Sequence, residues 1–552
     1  MVATNRRIGY IFLAFLALLA VAVLRAGYLG VLKAPSLRRA AVTQQITDEV
    51  IPPTRGTITD RNGVELAVSE SAADVIADPY LIRSPMTAAT KLAPLLHKPV
   101  LPVLAALSKP HTGYVEVGYE VPAAQAQAII DLHIDGISTT PTVKRVYPRA
   151  WTAAQVLGSV NWNGTQGQGG LEYEYNQQLI GRSGERRIVN DAVGQPISID
   201  DVRAMRSGQT LRLTVDAALQ DEVEQVLAGV GAQYSPNGAT AIVMNPNTGA
   251  ILALANWPRV NANDPGAAPA AADMDRAVGY NYEPGSTFKA VTVSGALQDG
   301  VVTPSTKLDV PPVLQVADRQ IHDAESHGYE ELSVAQVLKV SSNIGADEIG
   351  MRLGAKRFDD WVHRFGFGAR TGVDLPGEQQ GIVLHSWQYS GSSMGNLPMG
   401  QGESVTPMQM ATAYSAIANG GVLRPPHIVA AVGGKPQPVP AGHRIISTRT
   451  AAEVRDMLRG VLADGGTASG AAIPGYDLAG KTGTANVVVN GRYSDTKYIA
   501  SFIGMVPASA PKLVVAVMVD EPQGAIYGGS VAAPAFQKIV GWAVPYLGIS
   551  PR

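Results

Sequence analysis

Residues 8–24, IGYIFLAFLALLAVAVL, carry no charge, and this stretch limits the chain's options more than any other segment does. Seventeen residues of α-helix reach roughly 25 Å, close to the hydrocarbon thickness of a bilayer. The apolar run AGYLGVL after Arg25 lengthens the helix, and Arg25 can snorkel to the interface. A helix satisfies its own backbone hydrogen bonds, so it can cross lipid where an irregular segment cannot. Arg6 and Arg7 on the short N-terminal side predict that this side stays cytoplasmic and that the rest of the chain is exported. A cleaved signal peptide is the competing reading, with Ala20-Val21-Ala22 as the small-residue cleavage site. Both readings export the residues downstream, and no second convincing span is found. The expected N-terminal layout is a tail over 1–7, an anchor over 8–32 and a polar, alanine-rich stalk over 33–50, helical or extended.

At 552 residues the chain is too long for one core and suits two or three domains. A content of 46% hydrophobic and 16% charged residues describes an ordered protein. The absence of cysteine excludes disulfides, thiolate chemistry and Cys-based zinc sites. A net charge of -2 speaks against a nucleic-acid binder.

Two large regions come after the stalk. Over 51–232, Asn62-Gly63 reads as a tight hairpin turn and Val64–Val68 as the returning strand. Residues 75–135 read as largely helical, with proline breaks, and Leu171–Ile180 as an acidic helical stretch. No catalytic cluster stands out in this region, which reads as an elongated pedestal of small sheets and helices. Leu211–Val215 alternates like a strand, and Asp216 can cap the helix through Leu219, Val223 and Leu227. Over 233–552, Thr240–Met244 and Ile251–Ala255 flank Asn245-Pro246-Asn247-Thr248-Gly249, a strong hairpin signal. Apolar runs at Tyr498–Val506 and Leu513–Val519 add strands, and Val531–Tyr546 reads as a closing helix. Strands at both ends with helices between predict an antiparallel sheet covered by helices.

Three polar pieces carry the chemistry. Ser286-Thr287-Phe288-Lys289 comes after the turn Glu283-Pro284-Gly285 and opens an apolar helical run. At offset three, Lys289 stands one turn from Ser286 on the same helix face. A serine hydroxyl is a poor nucleophile until a base takes its proton, and a desolvated lysine near another cation can be that base. Helix N-terminal N–H groups suit a developing oxyanion. Alone the motif is weak: Ser494-x-x-Lys497 repeats it in a polar stretch, and a capping serine explains it as well. Ser341-x-Asn343 ends a helical segment, where a plain turn is the competing reading; Ser159-x-Asn161 and Ser235-x-Asn237 share its spacing. The segment Gly475-x-x-x-x-Gly480-Lys481-Thr482 matches a phosphate-binding loop as written. Such a loop must open a helix, yet Thr484–Val489 reads as a strand running to the Asn490-Gly491 turn. A lysine and hydroxyls on a strand suit a carboxylate, and Gly483 lets another chain approach. His322 and His327 bracket Asp323 and Glu325, which read as a solvated polar loop; no histidine has metal-ligand spacing.

In order and separation, 55 residues from Ser286 to Ser341 and 140 from Ser341 to Lys481, these pieces resemble the S-x-x-K, S-D-N and K-T-G signature of penicillin-binding proteins and class A β-lactamases. The second piece reads Ser-Ser-Asn here. Within that superfamily the chain resembles class B, monofunctional penicillin-binding proteins over nearly its whole length. Arg55–Gly63, Arg145–Pro148, Gly170-Leu171-Glu172, Asp374–Glu378 and Gly400–Gln409 look family-like too. The resemblance implies an α/β fold: a serine β-lactamase-like transpeptidase domain with an antiparallel sheet flanked by helices, preceded by an α+β pedestal and one transmembrane helix. It implies a bacterial cytoplasmic-membrane D,D-transpeptidase with its catalytic domain on the extracytoplasmic side. Ser286 would attack D-Ala–D-Ala of a stem peptide, and Lys289 would take its proton. Backbone N–H groups of Ser286 and Thr484 would hold the oxyanion. Ser341 would relay a proton to the leaving D-alanine, and Asn343 would orient Lys289. Lys481, Thr482 and Thr484 would hold the terminal carboxylate of the substrate or the electrostatics around Ser341, with Gly483 beside them at the substrate-binding edge. A second stem peptide would resolve the acyl-enzyme. The implied partners are peptidoglycan stem peptides or a lipid-linked precursor, β-lactams as inhibitors, and a membrane glycan polymerase with other cell-wall proteins; no metal, cofactor or nucleic acid is implied. A D,D-carboxypeptidase, a serine β-lactamase, a β-lactam sensor and a non-catalytic scaffold remain the alternatives.

Overall fold

A computed structural model describes residues 2–36, 46–190 and 196–551. The apolar N-terminal stretch forms a helix over Val2–Gly27, continued by a π-turn over Tyr28–Leu32. Over Ile8–Leu32 it is long and apolar enough to cross a membrane. Residues 37–45 of the expected stalk lie outside the described residues.

Contacts gather the chain into two compact units, neither continuous in sequence. One takes Met1–Thr54, Ser71–Val143 and Gly181–Ser207; the other takes Arg55–Glu70, Lys144–Ile180 and Gly208–Arg552. In the first unit, the strands Ile46–Ile51, Gly184–Asn190 and Pro196–Arg203 form an antiparallel sheet. Helices Pro85–Leu95, Val100–Leu107 and Ala123–Ile130 build a small core around Val75, Leu92, Leu107 and Ile129. The expectation of a largely helical 75–135 holds only in part, because Val115–Pro122 is a strand paired with residues 72–77. Its Val-Glu-Val alternation favours a strand, and its partner lies outside any local window.

The second unit carries the motifs from the N-terminal half, and a buried ion triad joins them. Glu172, whose side chain is 0% exposed, receives the Nε of both Arg55 and Arg145, the latter at 2.7 Å. Arg55 Nη2 also donates to the Glu172 carbonyl at 2.6 Å, and Nη1 to Asn176 Oδ1 at 2.8 Å. The expected hairpin forms: Ile58–Thr59 pairs with Ala67 and Glu65, and Gly63 takes φ +90° while Asp60 accepts from the Asn62 and Val64 amides. Ile58–Thr59 also pairs in parallel with Leu211–Leu213, which in turn pairs with Val429–Val432. Residues before the expected boundary near 233 are therefore built into the C-terminal unit by backbone ladders as well as charge.

The main sheet has five strands: β1 (Gly238–Met244), β2 (Ile251–Trp257), β3 (Ala479–Val489), β4 (Arg492–Val506) and β5 (Leu513–Asp520), in the order β2-β1-β5-β4-β3 and antiparallel throughout. Among the helices are α1 (Ala217–Tyr234), α2 (Lys289–Gln298), α3 (Val334–Val340), α4 (Asn343–Leu353), α5 (Ala355–Arg364), α6 (Pro407–Ala418), α7 (Thr448–Arg459) and α8 (Gly528–Tyr546). Asp216 caps α1 through the Ala218 and Leu219 amides, as expected. Alternate residues of the strands face opposite sides. Ala241, Val243, Val515 and Val517 pack in one core with α1 and α8; Ile242, Met244, Ala516 and Met518 pack in the other with α2, α6 and α7. Burial on both faces explains why Leu513–Val519 is apolar at every position instead of alternating.

Glu172→Gln leaves two buried guanidiniums without their counter-charge. We expect it to lower the unfolding free energy of this unit by about 3–5 kcal/mol, checked by thermal and denaturant unfolding. A loss under about 1 kcal/mol would mean that the triad does not hold the N-terminal motifs in place.

Candidate active site

Ser286 lies in the 3-10 turn Gly285–Phe288, which leads directly into α2. The turn is clamped on several sides. Gly285 N donates to Gly400 O at 2.9 Å, and Thr287 Oγ1 donates to Pro284 O at 2.7 Å. Tyr414 OH, from α6, donates to Thr287 O at 2.7 Å. The turn packs against β3 so closely that a Cβ on Gly483 would lie 2.9 Å from Pro284 O and 2.3 Å from Ser501 Oγ. The close approach expected at Gly483 is thus made by the turn that carries Ser286.

Lys289 and Lys481 are both 0% exposed, and both reach Ser341. Lys289 Nζ donates to Ser341 O at 2.6 Å and to Asn343 Oδ1 at 2.7 Å, and lies 3.5 Å from Ser341 Oγ. Lys481 Nζ donates to Ser341 Oγ at 2.8 Å, to Thr482 O at 3.1 Å and to Thr482 Oγ1 at 3.3 Å. The Ser341 hydroxyl therefore stands between two buried amines. Ser341 ends α3 in the left-handed region, φ +64° and ψ +36°, a conformation that costs a non-glycine residue free energy and clusters at functional sites. Thr482 Oγ1 lies 2.8 Å from Thr467 Oγ1, and Thr484 Oγ1 accepts from Gly528 N at 3.1 Å.

Burial pushes Lys289 down to about 8, against the opposing pull of Asp323 and Asp347. Burial, with the charge of Lys289 added, drives Lys481 well below its usual range. Burial pushes the Asp347 carboxyl up to about 8. A fully charged lysine pair is thus disfavoured here, because neither amine is hydrated and each raises the cost of charging the other.

The expectation of a solvated loop around His322 and His327 is corrected at Asp323. Its side chain is 11% exposed and sits on the N-terminus of α4. Asp323 Oδ1 accepts from the Asn343 and Ile344 amides, the latter at 3.0 Å, and Oδ2 accepts from Ser342 Oγ at 2.7 Å. Asn343 Nδ2 donates to His322 O at 2.9 Å, and His327 Nε2 lies 3.2 Å from Asp323 Oδ2. A carboxylate satisfies both the free N–H groups and the positive end of a helix. No sequence signal marks Asp323, because the helix end it serves lies beyond the intervening strand Glu330–Ser333 and helix α3.

A family model described as Penicillin binding protein transpeptidase domain matches residues 239–541, and one described as Penicillin-binding Protein dimerisation domain matches residues 50–213. The chain belongs to the penicillin-binding protein transpeptidase family. It is 32% identical to the probable peptidoglycan D,D-transpeptidase PenA of Neisseria gonorrhoeae over 99% of this chain and 94% of that protein. It is 32% identical to the peptidoglycan D,D-transpeptidase FtsI of Escherichia coli over 97% of this chain and 91% of that one. The crystal structure of penicillin binding protein 3 of Mycobacterium tuberculosis complexed with aztreonam is similar with a TM-score of 0.71 and 31% identity, covering 91% of this chain and 98% of that chain.

Three sequence features of this penicillin-binding protein now have physical explanations. The middle residue of Ser341-Ser342-Asn343 is the N-cap of α4, with Ser342 Oγ accepting from Gly345 N at 3.0 Å. Serine and aspartate both serve well as N-caps, and the serine here also donates its hydroxyl to Asp323 Oδ2, which an aspartate at this position could not do. The decoy Ser494-x-x-Lys497 lies on β4, with exposed Lys497 Nζ 2.9 Å from Glu521 Oε2. The phosphate-loop match ends on the edge strand β3, which is followed by the strand β4 instead of a helix.

Asp323→Ala removes the acceptor that fixes the start of α4. We expect a stability loss of about 1–3 kcal/mol and acylation by a β-lactam slowed about tenfold, equivalent to ~1.4 kcal/mol of barrier. An unchanged acylation rate in stopped-flow measurements would remove Asp323 from the support of the site.

Proposed function

We propose that this chain cross-links peptidoglycan stem peptides through an acyl-enzyme on Ser286. The observation that carries this reading is the Ser341 hydroxyl standing between the buried amines of Lys289 and Lys481. A neutral lysine amine has two N–H bonds and one lone pair. Those of Lys289 point to Ser341 O and Asn343 Oδ1, which leaves the lone pair to take the Ser286 proton. The Ser286 oxygen then bonds to the penultimate D-Ala carbonyl carbon, and the Ser286 and Thr484 backbone N–H groups hold the oxyanion. The C–N bond to the terminal D-alanine breaks as its nitrogen receives a proton through Ser341, fed by Lys289 and Lys481. An amine of a second stem peptide attacks the ester, forms the cross-link and returns the proton to Ser286, giving ping-pong covalent catalysis. Lys481 with Thr482, Gly483 and Thr484 offers the carboxylate-binding edge, since β3 is paired on one side only.

The apolar helix over Ile8–Leu32 serves in this reading as a single-pass anchor, with the residues after it on the extracytoplasmic side of a bacterial membrane. Residues 50–213 match a dimerisation domain, so glycan polymerisation falls to a separate membrane partner in the cell-wall complex.

Ser286→Ala is expected to abolish covalent labelling by a fluorescent penicillin, with the wild-type adduct mapping to the peptide that contains Ser286. Full labelling of the variant would overturn the assignment. An acyl-enzyme that hydrolyses within seconds would instead indicate a β-lactamase. With Lys289 acting as base at about 8, the protonated form is inactive. The acylation rate therefore rises with pH through about pH 8 and falls about tenfold per unit below it. A flat profile between about pH 6 and 9 would exclude Lys289 as the titrating base.

A further inference from the structure

Helix α5 places Asp359 and His363 four residues apart on one face, and the chain returns at His385 to the same spot. One donor atom from each of the three lies within 4.8 Å of the other two. Asp359 Oδ1 is 2.8 Å from His363 Nδ1 and 3.6 Å from His385 Nδ1. The Asp359 side chain is only 9% exposed, yet Oδ1 takes no hydrogen bond among the described residues. Its other oxygen is occupied, Oδ2 accepting from Ser386 N at 2.9 Å. His363 Nδ1 also donates to its own turn's Asp359 O at 3.0 Å, so a bound ion would replace the proton on that nitrogen. A buried carboxylate oxygen that faces two imidazole nitrogens without a hydrogen bond from either is a candidate donor set for a cation. The neighbouring cations are engaged elsewhere: Lys356 Nζ lies 2.8 Å from Asp360 Oδ2, and the Arg364 guanidinium stacks over Trp361.

We propose that Asp359, His363 and His385 bind a divalent transition-metal ion, Zn2+ by donor type. Two imidazoles and one carboxylate are a common zinc set, with water in the fourth position. At zinc bond lengths of about 2.0–2.1 Å, tetrahedral ligand atoms stand about 3.3 Å apart, close to the carboxylate–imidazole separations of 2.8 and 3.6 Å found here. One ring must turn. His363 and His385 stack with centroids 4.4 Å apart and 9° between their planes, and parallel rings cannot both aim in-plane lone pairs at one ion. His385, which caps the short turn Ser386–Gln388 and stacks on Trp387, is the more exposed of the two and is the ring that turns. The ion would staple the loop after residue 381 to α5. That loop runs on to Pro398, whose carbonyl accepts from Thr292 Oγ1 of the nucleophile helix at 2.8 Å. The role is structural, and the site is separate from the Ser286 chemistry.

The test uses the detergent-solubilised full chain, stripped with chelator and dialysed against Zn2+ or Co2+. We expect one Zn2+ per chain by elemental analysis, a visible d–d band with Co2+, and a thermal midpoint raised by Zn2+. His363→Ala and His385→Ala should each weaken binding by more than about 100-fold, above the 10–100-fold cost of outer-shell changes, and should abolish the thermal shift. Both variants should still be labelled by fluorescent penicillin, which shows that they fold. His385→Asn, which keeps a polar cap, should lose the metal as well. No retained metal in the wild type, or equal retention by the variants, would overturn the proposal and leave Asp359 and His363 as an ion pair.

Discussion

Two lysine side chains withdrawn from water meet at one serine hydroxyl, and the rest of the site is arranged to permit this. An ammonium group loses its hydration on burial, so each amine needs acceptors placed in advance. Ser341 supplies its carbonyl to Lys289 and its hydroxyl to Lys481. It does both because it takes the left-handed conformation between α3 and α4. Asp323 and Ser342 then fix the first turn of α4, and with it the Asn343 amide that receives Lys289. The unusual backbone at Ser341 and the half-buried carboxylate at Asp323 thus serve one purpose, the placement of acceptors around desolvated amines.

The sheet supplies rigidity on the other side. Lys481 lies on an edge strand whose inner neighbour, β4, is paired on both flanks, and the sheet is covered by helices on both faces. Gly483 admits the turn that carries Ser286 against this strand, so Ser286 and the lysine strand are held by direct packing. Catalytic groups on packed elements keep their geometry without rearrangement at the moment of reaction. The same unit draws Arg55, Arg145 and Glu172 together, and a buried triad of this kind tolerates little change in any one member.

What could be read in the amino-acid order depends on the range of the interaction concerned. The Asn245–Gly249 hairpin, the Asp216 cap and the apolar strands of the main sheet were legible because their signals are local. The Val115–Pro122 strand was not, since it competes with neighbouring helices until residues 72–77 pair with it. Asp323 looked like part of a wet loop because nothing near it in sequence needs a carboxylate. Arg55, Arg145 and Glu172 were visible only as separate family-like fragments, since their mutual neutralisation joins three distant segments.

The candidate chemical groups are legible in the amino-acid order: a serine and a lysine one helical turn apart, a serine and an asparagine at a helix end, a lysine on a strand, and an apolar helix ahead of them all. These are properties of short spans, set by periodicity, capping preference and side-chain type. Only the tertiary structure separates the repeated serine–lysine spacings from one another. It does so by burying Lys289 and Lys481 against Ser341 and leaving Lys497 in solvent beside Glu521. Burial is a property of the whole packed unit, and it is burial that lowers an amine's proton affinity enough for it to act as a base.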